Sequence, residues 1–110
     1  MVVRKAVGLA AGVALMALAA QLPAQSPEQF PPDRVKAGAD LYAQTCSHCH
    51  GPRMLESQVP MDLRKFPPGE KSRFIRSVIK GKDQMPPFGG LYKAEEIEAL
   101  WAYVMAGERP

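Results

Sequence analysis

The sequence predicts a small all-α domain of three main helices, and three observations predict it. After residue 32, apolar residues recur at helical spacing in three stretches, and nowhere do they alternate as strands require. The prolines from Pro52 to Pro87 fall between those stretches, where they break regular structure. The third observation is a shortage. Of the 110 residues 46% are hydrophobic, but 18 of these lie in the first 24 positions, so the remainder has a thin core. One domain of this size and composition needs a staple such as a disulfide, a metal or a bound group. Multi-domain enzymes are excluded by length, and repeat arrays by the lack of a recurring period.

The leading segment accounts for the excess. Arg4 and Lys5 precede a 15-residue apolar run from Ala6 to Ala20, which Gln21-Leu22-Pro23-Ala24 ends. Residues 1–24 read as a secretory signal peptide cleaved after Ala24, with Ala19 and Ala20 as alternative sites. The run is shorter than the ~20 residues that cross a bilayer comfortably. The expectation is therefore export to the periplasm, with membrane attachment only if the segment is retained. Residues 25–32, QSPEQFPP, read as an extended linker, and the folded domain as residues 33–110. Arg4 and Lys5 also carry two of the three net positive charges, so nothing in the overall balance favours a nucleic-acid partner.

The first helix is expected from Asp33 to about Thr45. Val35, Gly38, Leu41, Tyr42 and Thr45 share its inner face, with Pro31 and Pro32 just ahead of it. The second runs from Glu70 to Lys80, placing Phe74, Ile75, Val78 and Ile79 on one face and stopping at Gly81. The third runs from Lys93 to Met105 with Ile97, Leu100, Trp101 and Val104 on one stripe. Glu95 and Glu96 open it where the helix dipole favours acids, and Gly107 follows it.

Between the first two helices stands Cys46-Ser47-His48-Cys49-His50, a C-x-x-C-H motif. A disulfide across so short a loop would close little chain and add little stability. Zinc would need a second ligand pair, but the candidate ligands all lie within five residues. A redox dithiol of the thioredoxin type would sit in alternating strands and helices, which are missing. The spacing suits covalent haem: two thiols add to the two vinyl groups on one porphyrin edge, and His50 is then held under the iron. His48 falls in the variable pair and is expected to face solvent.

Opposite His50 the soft donors are methionines. Met54 is too near His50 for the chain to pass around the haem edge, and Met105 belongs to the apolar stripe of the last helix. Met61 lies 11 residues from His50, within reach at about 3.3 Å per extended residue, so distance leaves it open. Context favours Met85. It opens Met85-Pro86-Pro87-Phe88-Gly89-Gly90, an irregular loop that is neither helix nor central strand and presents a side chain inward. A porphyrin between the three helices would add several hundred Å² of apolar contact, on the order of 10 kcal/mol at ~25 cal/mol per Å².

From about Val35 to Ala106 the chain resembles a small single-haem class I cytochrome c. Three stretches carry the resemblance: Cys46 to Gly51, Met85 to Gly90, and Leu91 through Glu95-Glu96-Ile97 to Leu100-Trp101-Ala102-Tyr103-Val104. It implies the class I cytochrome c fold, three main helices wrapped around one covalent haem c. It implies haem binding by Cys46, Cys49, His50 and Met85, the last two as iron ligands, and packing of Gly38 and Tyr42 against Leu100 and Tyr103. Arg64-Lys65-Phe66-Pro67 with Leu100-Trp101-Ala102-Tyr103 is similar to the cytochromes that serve quinoprotein alcohol dehydrogenases. Two departures stand out: Lys93 and Ala94 replace the usual Ser or Asp cap of the last helix, and Pro52 directly follows the motif, leaving Pro60 in doubt as the carbonyl that orients His50.

A thioether opposite an imidazole keeps both iron positions filled, which suits electron transfer and leaves no open site for a substrate. The expected role is an electron carrier, not an enzyme. A quinoprotein dehydrogenase is the expected donor and an oxidase or another cytochrome the acceptor, with the carrier a monomer. Arg64, Lys65, Lys71, Arg73, Arg76, Lys80 and Lys82 form a basic run, with Glu70 the one acid among them, that leads into the Met85 loop. It is the candidate dock for acidic redox partners, and Arg64 and Arg73 are candidates for a haem propionate contact.

Overall fold

The computed structural model describes residues 29–109 together with Val2, Val3, Gly8 and Gly12. The segment expected to be a signal peptide, with its expected cleavage sites, otherwise lies outside the described residues, as do residues 25–28 of the expected linker. Four helices are present among the described residues: α1 (Pro32–Thr45), α2 (Ser47–His50), α3 (Lys71–Lys80) and α4 (Ala94–Ala106). Three 3-10 turns, at Pro52–Met54, Leu63–Lys65 and Pro68–Glu70, fill the long connection between α2 and α3. No strand occurs among the described residues beyond an isolated bridge between Lys82 and Met85.

The three long helices begin and end within one residue of the positions the periodicity predicts. Pro32 opens α1 at the first helical position, where its fixed φ is useful and its missing N–H costs nothing. Phe30 already packs against the core ahead of it. The C-terminal cap of α3 is Gly81 at φ 73°, a left-handed conformation that favours glycine. A Cβ there would lie 2.5 Å from the Met85 carbonyl oxygen, so this residue also lets the following loop fold back tightly. At the start of α4 the Lys93 N–H donates to Glu96 Oε1 at 2.9 Å. Lysine has no acceptor to return the bond, so α4 has the reach-back half of a capping box and lacks the other half.

The core forms where α1 crosses α4. Gly38 is the crossing point: a Cβ built on it would stand 1.9 Å from the Ala99 carbonyl oxygen and 2.8 Å from Tyr103 Cβ. With only hydrogen at this position the two backbones meet, and one turn later Tyr42 tilts onto Tyr103 with ring centroids 5.1 Å apart. On the other side of α4, Trp101 is almost fully buried. Phe74 lies 5.2 Å and Phe66 6.0 Å from it, so α3 and the turn before it are joined to α4 through aromatic edges and faces. Burial of Ile97, Leu100, Trp101 and Val104 matches the predicted stripe, but Ala99, Ala102 and Tyr103 are buried too, because α1 and α3 cover α4 from different sides. Ile79 departs from the prediction. Its side chain is 40% exposed, since α3 turns Phe74 and Val78 inward and leaves Ile79 at the rim against Gly89.

A polar clasp closes the chain's C-terminal end. Arg53 donates to both carboxylate oxygens of Glu108, at 3.1 and 2.9 Å, and Tyr103 Oη donates to Glu108 at 3.3 Å. Arg109 donates to the carbonyls of Val104 and Phe66. Arg53 beside it holds the Glu108 carboxyl below the usual carboxylate range. A carboxyl lowered on folding contributes stability above its unfolded value, and that contribution is lost as pH falls through the folded one. Arg53→Gln should therefore destabilise the protein at neutral pH and reduce the steepness of its acid unfolding. Chemical-denaturation midpoints measured across the acidic range check this, and parallel curves for the two proteins would contradict it.

Candidate haem site

Cys46 ends α1, and the single turn of α2 carries Ser47 to His50, so the whole motif is wound on helical backbone directly after the α1–α4 crossing. The Cys49 and His50 N–H groups both donate to the Cys46 carbonyl, at 3.3 and 3.0 Å, and Ser47 Oγ caps back to the Ala43 carbonyl at 2.8 Å. This winding spaces Cys46, Cys49 and His50 three and four residues apart on helical backbone, the spacing at which helix neighbours share a face. Tyr42 Oη fixes the exit by donating to the Gly51 carbonyl at 2.6 Å within the core. Burial beside that carbonyl pushes the Tyr42 phenol well above its ordinary range.

The two cysteines are free thiols. Cys46 is half-buried and packs against the core, whereas Cys49 is exposed. Burial, with a smaller contribution from Cys49, pushes the Cys46 thiol up to about 11. A dithiol redox centre needs the opposite, a thiolate stabilised near neutral pH. No group of three or more His, Cys, Asp and Glu side chains is gathered among the described residues. His50 is half-buried and burial lowers its pKa, favouring the neutral imidazole that can coordinate a metal. Its Nδ1 is buried and has no hydrogen-bond partner, so the Pro60 carbonyl does not orient this ring here. His48 is exposed, as its place in the motif predicts.

The methionines separate by environment. Met54 is 1% exposed, locked in the core. Met105 Sδ accepts from Arg109 Nη2 at 3.3 Å. Met61 lies on the outside, 37% exposed. Met85 is half-buried and packs against the same core as Cys46. Its backbone is pinned on both sides by reciprocal bonds with Lys82, at 3.0 and 2.9 Å. Phe88 and Gly89 then donate to the Val78 and Ile79 carbonyls at 2.8 and 3.2 Å, tying the loop to the end of α3. Two free thiols one turn apart, an adjacent half-buried imidazole with an unpartnered nitrogen, and a thioether on a rigid loop against the same core fit a covalent haem.

The basic run resolves into two groups. Arg64 binds Asp62 through two nitrogens, Lys71 pairs with Glu98 at 2.7 Å, and Arg73 pairs with Glu70 at 2.7 Å while stacking over the Phe66 ring. Both candidate propionate arginines thus hold carboxylates already. Lys65, Arg76, Lys80 and Lys82 are exposed and make no ion pair among the described residues. The clasp of Arg53, Tyr103, Glu108 and Arg109 escaped sequence reasoning, because Arg53 and Glu108 are 55 residues apart and its members follow no periodic pattern.

Comparison with known proteins adds the following. The family model described as cytochrome c oxidase, cbb3-type, subunit III matches residues 33–104. Quinohemoprotein alcohol dehydrogenase ADH IIB of Pseudomonas putida is 35% identical over 103 residues, covering 81% of this chain but 15% of the relative. Quinohemoprotein alcohol dehydrogenase ADH-IIG of the same organism is 33% identical over 73 residues, covering 64% of this chain and 10% of the relative. Cytochrome c6 of a Nostoc species is 31% identical over 99 residues, which span 86% of this chain and 84% of that protein. No solved structure matches the chain.

Proposed function

Because the chain belongs to the cytochrome c family, we propose that it carries one electron on a single haem fastened by Cys46 and Cys49, with His50 and Met85 as the two axial ligands. It is an electron carrier and not an enzyme, with the all-α class I cytochrome c fold and a covalently bound c-type haem. When bound, that group supplies a one-electron iron couple. The surrounding chain performs three tasks. Cys46 and Cys49 fix the porphyrin edge to the helical turn, His50 presents an imidazole from that turn, and Met85 presents a thioether from a loop pinned to α3. With the iron held by both His50 and Met85, reorganisation between oxidation states would be small and no site would remain for a substrate. The observation that carries this reading is that Cys46, within the C-x-x-C-H turn, and Met85 both pack against the one hydrophobic core.

Residues 1–24 direct export to the periplasm in this proposal, residues 25–32 link to the domain, and the carrier works as a monomer. A quinoprotein dehydrogenase is the donor, and an oxidase or another cytochrome the acceptor. Similarity to the two quinohemoprotein alcohol dehydrogenases supports the donor, although the chain spans 15% and 10% of their lengths. Arg76, Lys80 and Lys82 meet acidic groups on the partner. Reduction by a quinoprotein alcohol dehydrogenase, followed by stopped flow, should slow steeply as ionic strength rises, since contacts between exposed charges are screened beyond about 10 Å at 0.1 M salt. A rate indifferent to salt would remove the electrostatic part of the proposal, and failure to accept electrons at all would remove the donor.

A further inference from the structure

Arg73, Arg76, Ser77 and Lys80 recur at helical spacing along one side of α3, and Lys82 follows just past the cap. Together with Gly81 they line a shallow surface cleft of about 310 Å³. Basic residues near the end of a helix commonly answer its negative C-terminal pole. That explanation is insufficient here for two reasons. Only Lys80 belongs to the last turn. In addition, the terminal carbonyls of Ser77, Val78 and Ile79 are already taken by the N–H groups of Gly81, Phe88 and Gly89, at 2.9, 2.8 and 3.2 Å. The helix end has had most of its acceptors satisfied, and the cations beside it are left over.

What remains is donor-rich and acceptor-poor. Arg76, Lys80 and Lys82 have no carboxylate partner among the described residues, and Arg73 commits Nη2 to Glu70 while its buried Nε has no partner. No acid lines the cleft. We propose that this cleft is a binding site for phosphate oxyanions, held between the Arg76 guanidinium and the ammonium groups of Lys80 and Lys82. A guanidinium grips two oxygens of one phosphate at once, and the two ammonium groups act as flanking point charges, which favours an anion bearing more than one phosphoryl group. Anion binding here needs neither haem ligation by Met85 nor any redox partner, so it can be tested separately from the carrier function. An occupant would neutralise the same cations that meet an acidic partner.

Inorganic pyrophosphate, titrated into the reduced holoprotein at constant ionic strength, is the probe. Amide shifts in two-dimensional NMR should saturate and concentrate on residues 73–82. The Arg76→Gln/Lys80→Gln double variant should bind about tenfold more weakly or worse, while Arg34→Gln/Lys36→Gln on α1 should bind like the parent. Phosphatidylglycerol vesicles, set against phosphatidylcholine vesicles, identify the source of the phosphate. Binding that pyrophosphate displaces makes it a lipid headgroup, and pyrophosphate binding without vesicle binding makes it a soluble anion. Shifts that grow without saturating, or an equal loss in both double variants, would overturn the site.

Discussion

Gly38→Ala should cost about 3 kcal/mol or more, a large part of the 5–15 kcal/mol that holds a domain of this kind together. The added methyl carbon would sit 1.9 Å from the Ala99 carbonyl oxygen. Because that neighbour is backbone in the middle of α4, no rotamer change relieves the clash, and the two helices must separate. Separation would pull Tyr42 off Tyr103 and loosen its bond to the Gly51 carbonyl just beyond the motif. Gly69→Ala is the control. It has ordinary φ and nothing within 4 Å of the new carbon, so it should be neutral or slightly stabilising. Denaturant midpoints for the two variants make the comparison, and equal stabilities would show that the α1–α4 crossing is not the centre of the fold.

The second large effect concerns the staple. In Cys46→Ser/Cys49→Ser the covalent link is gone, and the chain should lose both its haem and its cooperative fold. The described core is a layer of side chains around Trp101 and the three tyrosines, small for a domain of this length. On the order of 10 kcal/mol of burial against a porphyrin is comparable with the whole net stability. Haem retained after denaturing electrophoresis and far-ultraviolet circular dichroism report the two losses. A haem-free variant that melts cooperatively with native helix content would contradict this account of the core.

Much of this architecture was legible in the sequence, for identifiable reasons. Apolar spacing and the flanking Pro31, Pro32, Gly81 and Gly107 fixed α1, α3 and α4, because helix limits are set by local chemistry. Glu96 marked the start of α4 even though Lys93 is a poor cap, since the reach-back bond depends on the acid three residues in. The C-x-x-C-H motif and the proline-rich loop after Met85 were readable because each combines unusual residue types at short range. The route from Gly51 to Val59 was not. Arg53, Met54 and Glu56 adopt left-handed backbone at φ 55°, 58° and 53°, although none belongs to the types that normally announce it. They are held there by distant partners, Arg53 by Glu108 and Met54 by the core. Ion pairing also reshaped the basic run: only the structure separates Arg64, Lys71 and Arg73, which hold acids, from Lys65, Arg76, Lys80 and Lys82, which hold none among the described residues.

A haem held by His50 and Met85 has a distinct spectroscopic signature. The long-wavelength absorption spectrum of the oxidised holoprotein tests that ligation most directly, recorded for the parent and for Met85→Ala. The parent should be low-spin with the weak red-end band of an iron to sulfur bond, and the variant should lose that band and lower its reduction potential. Persistence of the band in the variant would transfer the ligand role to another methionine, with Met61 first in line, and a high-spin parent would contradict that ligation outright.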